Sequence, residues 1–250
     1  MRIPKQTWDK YIKQLSKLNY AAGTLIEDYI DKNGLDDVKG LTDYAFKVIQ
    51  KYGNGSAALS AAMYDALAAL EGADIAPAVM ADLPDYGEVA KTVYGTLKTS
   101  QNPSEIAGAT SRLVKRCGAD TTLKNAKRDG AQFAWIPAGE TCAFCLTLAS
   151  NGWTYMSKEA MKGGHADHIH ANCDCTYAVR FDSSTTVAGY DPSKYKQMYD
   201  DADGKNSEEK INSMRRMIYQ ENKDRINAQK RDAYEKSKEL ESSETEELRV

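Results

Sequence analysis

The sequence has no apolar run of the roughly 18 residues needed to cross a bilayer, so no membrane span is expected. It also lacks a dominant charge. Lys+Arg 33 against Asp+Glu 36 leaves a net charge of -3, so bulk charge points to no nucleic-acid or membrane partner. The opening, Met1 to Leu15, is basic but has no continuous apolar stretch of the kind that directs secretion, and we expect a protein kept in a reducing cytoplasm. No repeat at solenoid periods occurs. Two common zinc-enzyme patterns are missing as well. There is no HExxH, and no His precedes Cys142, so the HxE that zinc deaminases place before their CxxC is absent.

What remains is 250 residues, 42% hydrophobic and 28% charged, enough to bury a core and too apolar for wholesale disorder. The first 130 residues read as helices. Trp8, Ile12, Leu15, Ala22, Leu25, Ile26, Tyr29 and Ile30 recur at three- and four-residue steps, with Asn33-Gly34 as the stop. Leu41, Ala45, Val48, Ile49 and Tyr52 predict a second helix ending at Gly53, and Ser56 to Leu70 an Ala-rich third. Pro77 and Pro84 mark a connecting loop from Ala73 to Tyr86. A fourth helix carries Val89, Val93, Tyr94 and Leu97 on one side. The fifth starts cleanly, with Asn102 as cap, Pro103 in the first position and Glu105 in the first turn. It is expected to stop at Gly118, with a sixth from Asp120 to Arg128.

The pattern changes near Gly130. Gln132 to Ile136 predicts a short strand, Thr141 a cap for a short helix ending near Gly152, and Trp153 to Tyr155 an extended piece. A Gly- and His-containing loop then leads to Cys175–Phe181, whose alternation predicts a half-buried strand. Beyond Tyr190 the chain turns polar. Lys210 to Arg231 holds seven basic and two acidic residues on a helical pattern with Ile211, Met214 and Ile218 on one face, and Asp232 to Val250 holds seven acidic and three basic. The fold class expected is α+β and predominantly helical. Its parts are a helical domain (1–130), a small zinc-stapled module (131–190) and a charged helical tail (191–250), partly disordered at its end.

Cysteine and histidine are few, five and three, and seven of these eight lie between Cys142 and Cys175. Random scatter would place about one there. Cys117 is the outlier. Cys142-Ala-Phe-Cys145 puts two thiols on one helical face at a helix start, where free amides favour thiolates. The second group is His165-Ala-Asp-His168-Ile-His170-Ala-Asn-Cys173-Asp-Cys175. Zinc takes four N or S ligands as a tetrahedron, typically as two close pairs from separate segments. A structural Zn2+ held by Cys142, Cys145 and Cys173, with either Cys175 or His170 as the fourth ligand, meets that demand. Competing readings are a disulfide, isolated core cysteines, a redox CxxC, a Cys145–His170 nucleophile pair, Ser–His chemistry, or a catalytic zinc with Glu140 or Asp167 as base. His165 and His168 read as loop residues.

The strings Trp135-Ile-Pro-Ala-Gly-Glu-Thr-Cys-Ala-Phe-Cys145, Leu148-Ala-Ser-Asn-Gly152 with Tyr155, and His170-Ala-Asn-Cys173-Asp-Cys175 resemble tailed-phage minor head proteins. These are the Mu F-like head-morphogenesis proteins, whose hallmark is a CxxC segment followed by HxxCxC. Gly189-Tyr-Asp-Pro192 and Tyr195 resemble the variant found in phages and prophages of Gram-positive bacteria. Ala171 stands where that family often has Pro. The resemblance implies a low-copy virion component, made in the host cytoplasm and associated with the portal and the capsid interior. Its partners would be the portal and the major capsid or scaffold proteins, with no membrane involved.

Some members of that family are labelled maturation proteases or carry a toxin or nuclease domain, so a protease or metal-dependent nuclease using the same Cys/His cluster is the rival expectation. The tail after Tyr190 is short and charged for an added enzyme domain, and we expect an assembly protein rather than an enzyme. Arg215, Arg216, Lys223, Arg225, Lys230 and Arg231, with Lys210, are candidates to touch packaged DNA or an acidic protein face, against the alternative of a solvated charged helix.

Overall fold

A computed structural model describes residues 2–139, 141–156 and 173–247; for residue 233 and residues 235–247 only the backbone is described. The chain forms two compact units, residues 1–196 and residues 197–250. The fold is α+β and predominantly helical, as expected.

The first unit is built on three long helices: α1 (Lys5–Asn33), α2 (Val38–Glu71) and α4 (Pro103–Asp129). Helix α1 stops at Gly34, whose φ of 73° suits a residue without Cβ. Contacts set the directions. Leu18 lies against Gly55 and Tyr11 hydrogen-bonds Ser60, so α1 and α2 are antiparallel. Cys117 lies against Gly53 and Asp129 accepts from Tyr64, so α2 and α4 are parallel.

Two expected stops are corrected here. Gly53 and Gly118 lie inside α2 and α4, which run through as single helices. Each glycine marks the helix crossing. A Cβ on Gly53 would come within 2.9 Å of Cys117 Sγ, and one on Gly118 within 2.7 Å of the Ser56 and Ser60 hydroxyls. Backbones this close admit only hydrogen at the contact.

Helix α3 (Tyr86–Leu97) is capped by Asp85 and buries Val89 and Val93, but Tyr94 faces outward. At the start of α4, Asn102 accepts from the Ser104 amide and Pro103 opens the helix. The loop joining α2 to α3 is zipped along α4. The Asn125 side-chain amide both accepts from the Val79 N–H and donates to its carbonyl, Thr121 accepts from Ala81 N–H, and Arg128 donates to the carbonyls of Ala76 and Pro77.

At one end of the helices sits a three-stranded antiparallel sheet of order β3 (Thr154–Tyr155), β2 (Gln132–Ile136), β4 (Thr176–Arg180), with Trp135 opposite Tyr177 and Phe133 opposite Val179. The half-buried expectation for β4 is also corrected: Thr176, Tyr177, Ala178 and Val179 are all buried. Helices α2 and α4 pack on β4, α5 (Ala143–Ser150) packs on its neighbour β2, and the alternating residues on both faces of β4 are buried. Glu71, at the end of α2, ties helix to sheet by accepting the amides of Phe181 and Asp182.

A second, parallel pair joins β1 (Arg2–Ile3) to β5 (Thr186–Val187). One apolar core runs from Trp8 and Tyr11 of α1 through Tyr64 of α2 to Phe133, Trp135, Cys145, Cys173 and Cys175. A second lies among Ile26, Ile49, Val93 and Val114.

Helix α6 (Pro192–Asp200) begins at the Asp191 carboxylate, which accepts from the Ser193 and Lys194 amides. In the second unit α7 (Ser207–Glu247) is a single helix. Asn206 accepts from the Glu209 amide at its start, Met214 is buried, and Arg215, Arg216, Lys223 and Arg225 are exposed. No helix among the described residues is long and apolar enough to cross a membrane.

Candidate metal centre

The centre is assembled from the two ends of the sheet segment. Strand β2 runs out at Ile136, and Pro137–Gly139 turns the chain, with Gly139 at φ 62°. Cys142 is then the N-cap residue of α5 and Cys145 its third residue. Thr141 does not cap this helix, which corrects that expectation. Its hydroxyl donates back to the carbonyls of Ala138 and Gly139, holding the turn closed, and lies 3.9 Å from Cys175 Sγ. Cys173 and Cys175 arrive just ahead of β4, whose antiparallel register places Thr176 beside Ile136. The sheet itself therefore carries the CxC to the CxxC.

The sulfurs of Cys145, Cys173 and Cys175 all lie within 4.8 Å of one another, a group able to hold a metal ion. Cys145 Sγ and Cys173 Sγ are 3.3 Å apart, which is a thiol hydrogen bond and far longer than a disulfide. None of the five cysteines is disulfide-bonded. The three are buried, at 1%, 6% and 0% exposure respectively. Cys142 is half-buried and its thiol engages Cys145, so it borders the same cluster. His165, His168 and His170, and with them Glu140 and Asp167, lie outside the described residues. Cys117 stands apart, packed on Gly53, its thiol hydrogen-bonded to the Leu113 carbonyl and pushed up to about 12 by burial.

Backbone donors point at the sulfurs. The Ala138 amide donates to Cys175 Sγ and the Cys175 amide to Cys173 Sγ, each at 3.4 Å. Such N–H groups stabilise charge on sulfur, and they are the outer contacts that orient thiolate ligands. Cys173 is driven strongly toward the thiolate by hydrogen bonds from Cys145 and Cys175, with the Lys115 charge and the Cys175 amide adding to the effect. Cys145 is driven the other way, held as a thiol by hydrogen bonding to Cys142, Cys173 and Cys175 and by burial. Three packed sulfurs without a cation cannot all carry charge together, since like charges at this spacing repel. A divalent ion removes that limit, because it pairs with several thiolates at once. The donor set is soft, closely spaced and supplied by two segments, which is what a thiolate-binding metal requires.

Several surrounding residues were not legible as part of this site. Ser16 of α1 donates to the Asp174 carboxylate, fixing the residue between the two cysteines of the CxC. Tyr11 engages Thr176. Tyr190 donates to the Ala149 carbonyl at 2.8 Å, closing the end of α5, and its ring meets those of Trp153 and Tyr195. The Gly-Tyr-Asp-Pro string thus acts as a clasp, Tyr190 on α5 and Asp191 on α6. The basic residues Arg215, Arg216, Lys223, Arg225, Lys230 and Arg231 lie on α7 in the other unit.

Comparison with curated proteins and with solved structures returns no match. The VG15 protein family matches residues 2–202, which takes in all of α1 to α6 and every cysteine. The chain therefore belongs to the VG15 protein family, a viral family, and is a phage protein.

Proposed function

We propose that this chain is a minor head protein of the Mu F-like kind, low in copy number, acting in head morphogenesis at the portal and the capsid interior, and shaped by a structural zinc ion. The observation that supports it most is the convergence of the CxxC and CxC sulfurs into one buried cluster, within a segment whose order and spacing resemble those head proteins. Membership of a viral family agrees with it.

In this reading Cys142, Cys145, Cys173 and Cys175 hold the ion, with His170 the alternative to Cys175 as fourth ligand. Zinc supplies no chemistry beyond cross-linking. It pins the start of α5 to the start of β4 where the short strands alone bury little. Burial of the three sulfurs favours a closed ligand shell over one with a position kept for water. Partners are the portal and the major capsid or scaffold proteins. The exposed basic face of α7 supplies contacts to packaged DNA.

Mass spectrometry of purified phage particles tests the assignment. The chain should be present, intact and at a small fraction of the major capsid protein. Its absence from both procapsids and mature particles would overturn it. The enzyme reading is tested by replacing His165, His168 and His170 with Ala and assaying capsid-protein cleavage and DNA nicking; activity that disappears with the histidines would favour a protease or nuclease instead.

A further inference from the structure

Lys115 is the residue that the zinc reading leaves unexplained. Its ammonium nitrogen is buried and has no hydrogen-bond partner among the described residues. A buried charge without a partner is costly and persists where another charge offsets it.

Its position in the fold names that other charge. Helix α4 runs antiparallel to α1, with Ser111 beside Gly23 and Thr122 beside Tyr11. Lys115 is one turn beyond Ser111 and one turn before the buried Ala119, on the stripe that meets α1. The facing stretch of α1 contains Ser16, which holds Asp174 between Cys173 and Cys175. A single cleft is lined by Ser16, Asn19, Ser111 and Asp174, so this stripe of α4 and the CxC meet at one seam. In keeping with that placement, the Lys115 charge acts on Cys173.

We propose that Lys115 is the buried counter-charge of the metal–thiolate centre. The inference rests on the zinc reading. Four thiolates around a divalent ion carry a formal excess of two negative charges, and three thiolates with a histidine an excess of one. Amide N–H groups offset part of this excess, and a cation held on α4 offsets more. Lys115 is a positioning and charge-balancing residue rather than a ligand. It favours the metal-bound state over the metal-free one, because metal binding requires the cysteines as thiolates and so brings the excess negative charge with it.

The test uses the full-length protein and its Lys115→Met variant, which keeps an apolar stem and loses the charge. Zinc affinity is measured by chelator competition, and thermal unfolding is followed with and without zinc. Affinity should fall about tenfold or more in the variant, the range found for outer contacts of metal sites. The metal-free variant should unfold no earlier than metal-free wild type, because an unpaired buried charge has gone. Lys115→Arg, which keeps the charge, should lie closer to wild type in affinity than the Met variant does.

Equal zinc affinity in wild type and Lys115→Met would overturn the proposal and leave the zinc site standing. So would a drop in thermal stability of the same size with and without metal, which marks a packing role only. Wild-type protein that binds no zinc would instead remove the metal reading, and this inference with it. If Lys115→Met does not fold, Lys115→Gln carries the same comparison.

Discussion

The cysteines divide by environment. Cys117, alone against Gly53, behaves as a small core residue, whereas Cys145, Cys173 and Cys175 meet at hydrogen-bond distances in a patch with amides aimed at them. Substitutions should separate the two kinds. Cys173→Ser should reduce bound zinc to well below one per chain, and Cys117→Ser should leave it unchanged; both are read by metal analysis of the purified proteins.

That contrast was legible in the sequence because thiols spaced as CxxC and CxC have few other uses in a reducing compartment. Lys115 was not. One basic residue among 33 carries no mark of burial until the helix pairing is known. Thr141 misled for a related reason: a threonine ahead of a helix reads as a cap, yet the turn at Gly139 claims its hydroxyl.

Among the elements, the helix crossing of α2 and α4 governs the fold. Glycine ends helices so often that Gly53 and Gly118 read as stops, and only the approach of the two backbones shows otherwise. Gly118→Ala should therefore destabilise the protein, by about 1–3 kcal/mol as for other overpacked contacts. For a chain of this size that lowers Tm by roughly 2–12 °C. The same change at Gly72, which has nothing near its absent side chain, tests backbone conformation alone.

The end of α4 carries a pH-dependent tie. Asp129 accepts hydrogen bonds from Arg128 and from the Tyr64 hydroxyl, and these hold its carboxyl below the ordinary carboxylate value. A group depressed in the folded state lends stability above its unfolded pKa of about 4 and loses it as pH falls through the folded value. Between pH 5 and pH 2, Asp129→Asn should consequently show a shallower loss of stability than wild type, measured by urea unfolding at stepped pH. The strand β2 and the start of α4 were legible in advance because local signals set them, an apolar run bounded by Gly130 and Pro137 in one case and an Asn cap followed by Pro in the other.

For the whole molecule, the family match and the compact unit end close together, at residues 202 and 196. Cys142, Cys145, Cys173 and Cys175 all fall within both. A chain truncated after residue 202 should accordingly keep its zinc and lose only what α7 contributes. If α7 holds DNA, the full chain should bind a short duplex with an affinity that falls steeply as salt rises, and the truncated chain should not. The helical character of the tail was plain from its periodicity, whereas its role was not, because a charged helix reads alike whether it meets phosphate, an acidic protein or water.

A metal joining the two cysteine segments is what would hold this module together. Its most direct measurement is the zinc content of full-length protein purified without chelator under reducing conditions, paired with a thiol count in the denatured chain. About one zinc per chain, lost in both Cys145→Ser and Cys173→Ser, is the predicted result. Five free thiols with no bound metal would contradict it.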